Sequence, residues 1–598
     1  MVAYNQAVKT KRRFFEPDGE LKRHSSSSPW LWQLFLSRFL SLASFSSPAS
    51  LPTPESSSPF LTTVTRRRYD ARRVWWAIAT PLTLVIAALL GYFFAGHVIP
   101  VAGGLYSEAI VGTPRYLNPV LALPGSPDDD ITALVFSGLT RVNIAREIVP
   151  DLAESWTVSP DGRIYTFRIR KDVLWHDGKP FVADDVVATI KHLQTADFPG
   201  ESMVALPWQG IDVELTPEGV RFTLPTANSW FLEQASIGVI PAHVTANLRG
   251  RALLESGFNR MPIGTGPYRV TSADLRRVQL TVNSAFHGQV PLIRDIDLRF
   301  FGTVESAVAA ARRNEVMAIR PIPATDLGIP PPGFNVLARV DAAKTVSLVF
   351  NTRPGQMDDA GIRAAIASSI DRATVAATLN GAAVGTDDLP ADLSMARATF
   401  ERLGWRRSSA TPPGPNAIEN TGPLQRDGRS FTLSLVINDR PERVAVADEI
   451  ARQLGAMGIR VDIQKIGWGG MIGDVLPTGR FQSVLLETFD PAAMPNPAAV
   501  WQSNAPLNVG KWSNKRSDEL LVAALRATTE PERQTALRDW RAVFVADAPA
   551  IDLYRPGIVY VVSQEIQGQN AMDLRLPRDR FASIADWYVF TKWTFHRF

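Results

Sequence analysis

The sequence predicts a mixed α/β protein. Three observations point there. The stretch Pro150 to Val187, PDLAESWTVSPDGRIYTFRIRKDVLWHDGKPFVADDVV, packs two strands, two tight turns and a helix start into one block. From Phe431 to Ile463 the apolar spacing changes from 2 to 3.6 and back, the pattern of strand, helix and strand. Beyond Gly104, strand and helix patterns alternate throughout the chain. At 598 residues the chain is too long for one compact core, and its length suggests about three or four domains. A hydrophobic content of 45% with 20% charged residues is ordinary for a folded soluble protein.

The N-terminal segment is different in kind. Up to Arg73 there are 12 Lys and Arg against 5 Asp and Glu, a net of +7, so the rest carries −3 of the total +4. The basicity belongs to residues 1–73, which undercuts a nucleic-acid partner for the folded part. Ser25 to Ser58 is rich in Ser and Pro and reads as mostly disordered. Within it, Leu31 to Phe45 is apolar enough for an interfacial helix.

From Val74 to Tyr106 there is no Lys, Arg, Asp or Glu. The apolar run exceeds the roughly 20 residues a membrane-spanning helix needs, so one transmembrane anchor is expected over 74–100. Trp75 and Trp76 stand at one end as interfacial anchors, with Tyr92, Phe93 and Phe94 toward the other. Arg66, Arg67, Arg68, Arg72 and Arg73 precede it, which keeps the N-terminus in the cytoplasm and exports the remainder. The alternative is a cleaved signal peptide, favoured by the small residues Val101-Ala102-Gly103-Gly104 and opposed by the length of the run.

In the exported part, Trp156 to Val158 leads into Ser159-Pro160-Asp161-Gly162, which suits a type I turn. The returning strand alternates Tyr165, Phe167 and Ile169 with Ile164, Thr166, Arg168 and Arg170, so one face is buried. A second turn at His176-Asp177-Gly178-Lys179-Pro180 precedes a helix with Val186, Val187, Ile190 and Leu193 on one side. Asp184 and Asp185 sit in its first turn, where carboxylates favour the helix dipole. In the later unit, Phe431, Leu433, Leu435 and Ile437 alternate along a strand. A helix with Val446, Ala447, Ile450, Leu454 and Met457 follows, then Gly458 as a stop and a strand with Ile459, Val461 and Ile463. A βαβ unit implies parallel strands and a right-handed crossover.

The Pro150 to Val187 string resembles the signature region of the large solute-binding proteins of oligopeptide and dipeptide ABC importers, "P-x-L-A-x-S-W … D-G-x-x-Y-T-F-x-L-R-x-D-V-x-W-H-D-G-x-P-F-x-A-x-D-V". Other landmarks of that family follow in order. Leu105 to Pro119 is similar to its entry strand and first ligand-side loop, and Gly264-Thr265-Gly266-Pro267-Tyr268 to its "GTGPY". Val349-Phe350-Asn351, Ile362-Arg363-Ala364-Ala365-Ile366 and Ile370-Asp371-Arg372 resemble its "FN … VRxAI … AIDR", and Asp547 to Tyr554 its "P-x-I-x-L-Y" return. The resemblance implies two lobes of the periplasmic-binding-protein type, the large type II class, closing on ligand about a hinge. Lobe 1 is then expected over 105–345, with an extra subdomain at about 142–232, lobe 2 over 346–545, and a return to lobe 1 over 546–598. Crossovers are expected near Lys344-Thr345 and Val545-Ala546.

No enzyme constellation is present. The seven histidines, at 24, 97, 176, 192, 243, 287 and 596, lack the close spacing of a zinc site, and no GxSxG elbow or GxxxxGK[ST] phosphate loop occurs. His176 reads as a turn or hydrogen-bonding residue. Gly467-Trp468-Gly469-Gly470 follows a strand, but the third glycine of a dinucleotide loop is replaced by Ile472. The chain has no cysteine, which excludes disulfides, thiolate metal sites, cysteine catalysis and a lipidated-cysteine anchor, a departure from many members of the family. No cofactor or metal is expected.

For a receptor, the relevant groups are aromatic and polar side chains on cleft loops. The candidates are Tyr116 and Asn118 in the first loop, Trp468, and Asp490, Asn496 and Trp501 in the later loop. Trp468 and Trp501 can equally be core packing, and Tyr116 can brace its loop. Peptide-binding members of the family hold the ligand ammonium with an Asp in a "D-P-D" type loop. Here the stretch reads FDPAAMPNPAAVW, and either Asp490 keeps that charge or Asn496 replaces it. The expected function is a monomeric, membrane-tethered receptor for a peptide or other small solute, docking on ABC permease subunits powered by a separate ATPase. A tethered sensor or scaffold of the same fold is the alternative, raised by the long cytoplasmic tail.

Overall fold

A computed structural model describes residues 75, 79–87, 97–341, 344–355, 357–379, 383–385, 391–408, 422–489, 497–569 and 574–594. The chain divides into two compact units, Met1–Leu89 and Leu90–Phe598. In the first, residues 79–87 are helical and mostly exposed. No helix among the described residues is long and apolar enough to cross a membrane. The tail expected over 1–73, including Leu31 to Phe45, lies outside the described residues, as does most of the anchor expected over 74–100. The end of that anchor needs correction, because His97–Val101 is a strand. Pro100 cannot continue a helix, and the β-branched Val98, Ile99 and Val101 favour extended backbone.

The second unit is built on a 12-stranded sheet. Its path runs through Arg460–Ile466, Thr432–Asn438, Ser483–Phe489 and Lys344–Phe350 to the long strand Ala550–Ser563. It continues through Ala318–Pro323, Leu105–Val111, Asp295–Phe301, Arg277–Val282 and Tyr268–Ala273. The expected βαβ unit is present: Thr432–Asn438 runs parallel to Arg460–Ile466 across the helix Pro441–Ala456. Val446, Ala447, Ile450 and Leu454 of that helix are buried, as is Met457 at its end, where Gly458 takes a positive φ of 83°.

The hairpin also forms as expected. Ala153–Val158 pairs antiparallel with Ile164–Ile169, and Gly162 N–H donates to Ser159 C=O across the turn at 2.9 Å. Gly219–Thr223 and Asp212–Thr216 extend it to four strands. Tyr165, Phe167 and Ile169 point into a core that also holds Trp208, Phe222 and Phe231. Asp185, in the first turn of the helix Ala183–Gln194, accepts from Val182 N–H, Ala242 N–H and Trp175 Nε1–H.

Buried side chains form separate cores on either side of the long strand. One gathers Tyr106, Ile110, Leu298 and Trp587 with the hairpin aromatics. Another gathers Val346, Leu348, Leu435, Ile450, Ile551 and Leu553. Ala550–Ser563 belongs to both: its first part pairs with Lys344–Phe350, its second with Phe334–Val340 and Ala318–Pro323. The exposed and half-buried residues of the strand's interior gather at Arg555 to Ile558, where it passes from one core to the other. Residues 546–554 therefore lie with the second core, and this passage falls about ten residues beyond the junction expected near Val545-Ala546. Pro556-Gly557 marks the passage in the sequence. The strand Phe334–Val340 pairs with the second part of Ala550–Ser563, and Lys344–Phe350 with its first part.

Candidate functional site

Register places the ends of the parallel strands. Pro323 closes its strand opposite Ile558, and Leu105–Val111 runs parallel beside it. Phe489 closes Ser483–Phe489 opposite Lys344, and Thr432–Asn438 runs parallel to that strand. The parallel strands of both cores thus end toward the Arg555–Gly557 passage. In open α/β sheets, ligands bind beyond the carboxyl ends of the strands, which makes this end of the sheet the candidate site.

On the first core, the loop after Leu105–Val111 carries Tyr116 and Asn118. Tyr116 is half-buried, and its N–H donates to Asp128 Oδ1 at 3.1 Å, beside Arg115 N–H at 2.7 Å. Asp128 belongs to the helix Pro127–Val135; burial pushes its carboxyl up to about 6 against the pull of those two N–H groups. Asn118 is fully buried. Its Nδ2 donates to Asn259 Oδ1 at 3.0 Å and its Oδ1 accepts from Val120 N–H, so the side chain braces the loop.

On the second core, Trp468 directly follows Arg460–Ile466 and Gly467. It is 56% exposed, with Ile472 also exposed nearby in sequence. Trp501 is buried against Phe544, with ring centroids 4.7 Å apart, and belongs to the core rather than an open wall. Asp490 and Asn496 lie outside the described residues.

At the same strand ends the structure assembles a charged group that sequence reasoning missed. Lys344 Nζ lies 2.9 Å from Glu487 Oε1 and 3.7 Å from Asp341 Oδ2. Arg443 reaches Glu487 Oε2 at 3.3 Å and donates to the Tyr554 hydroxyl. Burial works against the Lys344 ammonium, but Glu487 and Asp341 outweigh it and hold its pKa above the usual value. Glu487 keeps 40% of its side chain exposed while Arg443 is buried. The group presents a half-exposed carboxylate held between two cations. The sequence signal was a charge at each border of an apolar run, Lys344 before Thr345 to Phe350 and Glu487 after Val484 to Leu486. Among the described residues no group of three or more His, Asp or Glu is placed to hold a metal.

Two α/β cores sharing one strand, with their strand ends converging on a cleft, define a two-lobed binding protein of the periplasmic type. The family model for bacterial extracellular solute-binding proteins, family 5 Middle, matches residues 147–506, and the chain belongs to that family. It is 23% identical over 511 residues to the oligopeptide-binding protein AppA of Bacillus subtilis, covering 82% of this chain and 92% of that one. To the dipeptide-binding protein of Escherichia coli it is 24% identical over 534 residues, covering 78% and 93%. The fold superposes on AppA of Bacillus subtilis in complex with a nonapeptide with a TM-score of 0.61 at 21% identity, over 82% of this chain and 100% of that one. On NikZ of Campylobacter jejuni in complex with Ni(L-His) the TM-score is 0.64 at 23% identity, over 81% and 99%.

Proposed function

We propose that this chain is the extracytoplasmic substrate-binding receptor of an ABC importer for peptides, closing its two lobes on the ligand and delivering it to a membrane permease. The carrying observation is the convergence of both sets of strand ends on the passage at Arg555–Gly557. The printed functions of the relatives, oligopeptide and dipeptide binding, support peptides as the cargo.

In this reading Tyr116 and Trp468 line the cleft from opposite lobes. Glu487, with Asp490 just beyond it, offers negative charge to the ligand ammonium, and Lys344 offers positive charge to a carboxylate. The hinge includes Asp341, Lys344 and residues 555–557, positions beside element ends that absorb a change in backbone angles. The charge-free segment before the first strand tethers the receptor to the membrane. With His97–Val101 removed from it, residues 74–96 still exceed the roughly 20 needed to cross.

The test is a peptide library titrated into the full chain in detergent, read by thermal stabilisation and by small-angle scattering. Ligand-dependent stabilisation with a smaller radius of gyration is expected. Absence of both across di- to nonapeptides overturns the peptide assignment. Permease subunits are expected to co-purify from native membranes.

A further inference from the structure

A two-stranded ribbon stands apart from the large sheet. His97–Val101 pairs antiparallel with Phe590–Thr594, in a register that sets Val98 opposite Trp593 and Val101 opposite Phe590. Those two pairs are an odd number of residues apart, so they lie on opposite faces of the ribbon. Val98 is 48% exposed, Phe590 53% and Trp593 69%, and none of the three belongs to a hydrophobic core of the described residues. An isolated two-stranded ribbon is marginally stable in water, and one with apolar groups bared on both faces is a poor surface to leave solvated.

Composition says what covers it. From Phe590 to Phe598 the chain reads FTKWTFHRF, with four aromatic residues, Lys592, His596 and Arg597, and no Asp or Glu. The first strand carries no Lys, Arg, Asp or Glu, and it follows directly on the charge-free segment that begins at Val74. Trp and Phe interleaved with cations match the bilayer interface, where rings sit at headgroup level and cations meet anionic lipid. A protein groove would be expected to offer carboxylates to Lys592 and Arg597; a bilayer offers lipid phosphates.

We propose that the ribbon His97–Val101/Phe590–Thr594 seats in the interface of the extracytoplasmic leaflet, with Trp593 and Phe590 among the headgroups and Lys592 at lipid phosphates. It fixes the first lobe against the bilayer as a second attachment beside the tether. The inference rests on the tethered reading for its geometry, and the test separates the two.

Because the chain has no cysteine, single labels can be placed without background. Trp593→Cys and Val98→Cys in the full chain carry an environment-sensitive fluorophore; Leu215→Cys, exposed on the strand Asp212–Thr216, is the control. Each is reconstituted in vesicles of phosphatidylcholine with phosphatidylglycerol. Quenching by spin-labelled lipid is expected to be several-fold stronger at 593 and 98 than at 215, with iodide quenching reduced in the same order. Two labelled positions guard against one substitution disturbing the ribbon. Iodide quenching at 593 and 98 equal to that at 215 overturns the proposal. Shielding from iodide without lipid quenching also overturns it, in favour of a protein contact. Retention of the chain on vesicles through alkaline carbonate reports the tether alone. Lipid quenching without retention upholds the ribbon and overturns the tether; retention with aqueous labels does the reverse.

Discussion

Arg580 is fully buried between two carboxylates. Its Nε and Nη2 donate to Glu108 at 2.9 and 2.8 Å, and Nη2 also reaches Asp130 at 3.1 Å. Burial pushes Asp130 up, but Arg580 and Arg320 together hold it below its ordinary value. Glu108 is raised, since burial there outweighs Arg580. Breaking a buried pair by removing one partner costs about 3–5 kcal/mol. Arg580→Met is therefore expected to lower stability by about that amount in urea denaturation, through two carboxylates left without their shared cation. Asp128 behaves in the opposite sense. Its folded pKa of about 6 lies above the unfolded value, so its contribution is most favourable at low pH and declines as pH rises toward and through 6. Asp128→Asn keeps an acceptor for Arg115 and Tyr116 N–H without a buried charge. It is expected to melt higher than the wild type at pH 7 to 8, with the gap closing below about pH 6.

At the scale of elements, two family motifs turn out to be one structure. His176 Nδ1 accepts from Gly264 N–H at 3.1 Å, its Nε2 lies 3.1 Å from Gly266 C=O, and His176 N–H donates to Gly264 C=O at 2.9 Å. The ring therefore carries its proton on Nε2. A Cβ on Gly264 would stand 1.9 Å from Val135 C=O, so only glycine fits against that helix end. Burial lowers the His176 pKa, so the neutral ring's contribution is complete above about pH 6.5 and is lost as pH falls through the lowered value. The difference in melting temperature between wild type and His176→Ala should accordingly shrink below that pH.

The motifs that name the family act here as backbone clamps. Asn351 Nδ2 holds Gly479 and Phe481 C=O, and Arg363 holds Met357, Asp358, Asp547 and Ala548 C=O. Local periodicity made the hairpin and the βαβ unit legible because each closes its hydrogen bonds within one short stretch. The helix face that the sequence assigned to Ile450 is the face that is buried, and Ile450→Ala is expected to cost about 2–5 kcal/mol in denaturant unfolding. The charged group at the cleft was not legible. Arg443 and Tyr554 lie 111 residues apart, and only the register of strands drawn from distant segments brings them to Glu487.

At the scale of the molecule, the two lobes also meet away from the strand they share. Ser229 N–H and Oγ donate to Leu525 and Ala524 C=O at 2.9 and 2.8 Å, at the end of the helix Lys515–Arg526. Arg533, in the helix Glu530–Asp547, donates to Ser229 C=O at 3.0 Å and lies over the Trp230 ring at 5.2 Å. Trp230 packs with Ala524, Ala536 and Leu537, joining the hairpin's region to the second lobe. These contacts tie the two lobes together at a second place, away from the shared strand. Ser229→Ala with Arg533→Ala is expected to enlarge the ligand-free radius of gyration in small-angle scattering. It removes two hydrogen bonds, about 2 kcal/mol in all, and is expected to weaken ligand binding by up to about thirtyfold in calorimetry.

The shared strand has a further meaning for how such a receptor can vary. Along Ala550–Ser563, Ile551, Leu553 and Tyr554 pack into one core, across a register shift at Leu553, while Tyr560 and Val562 pack into the other, with Val559 and Val561 buried on the opposite face. One residue added or lost within it would turn every later side chain to the wrong face of its lobe. A chimaera that exchanges one lobe for a relative's must therefore be cut in phase with Pro556-Gly557.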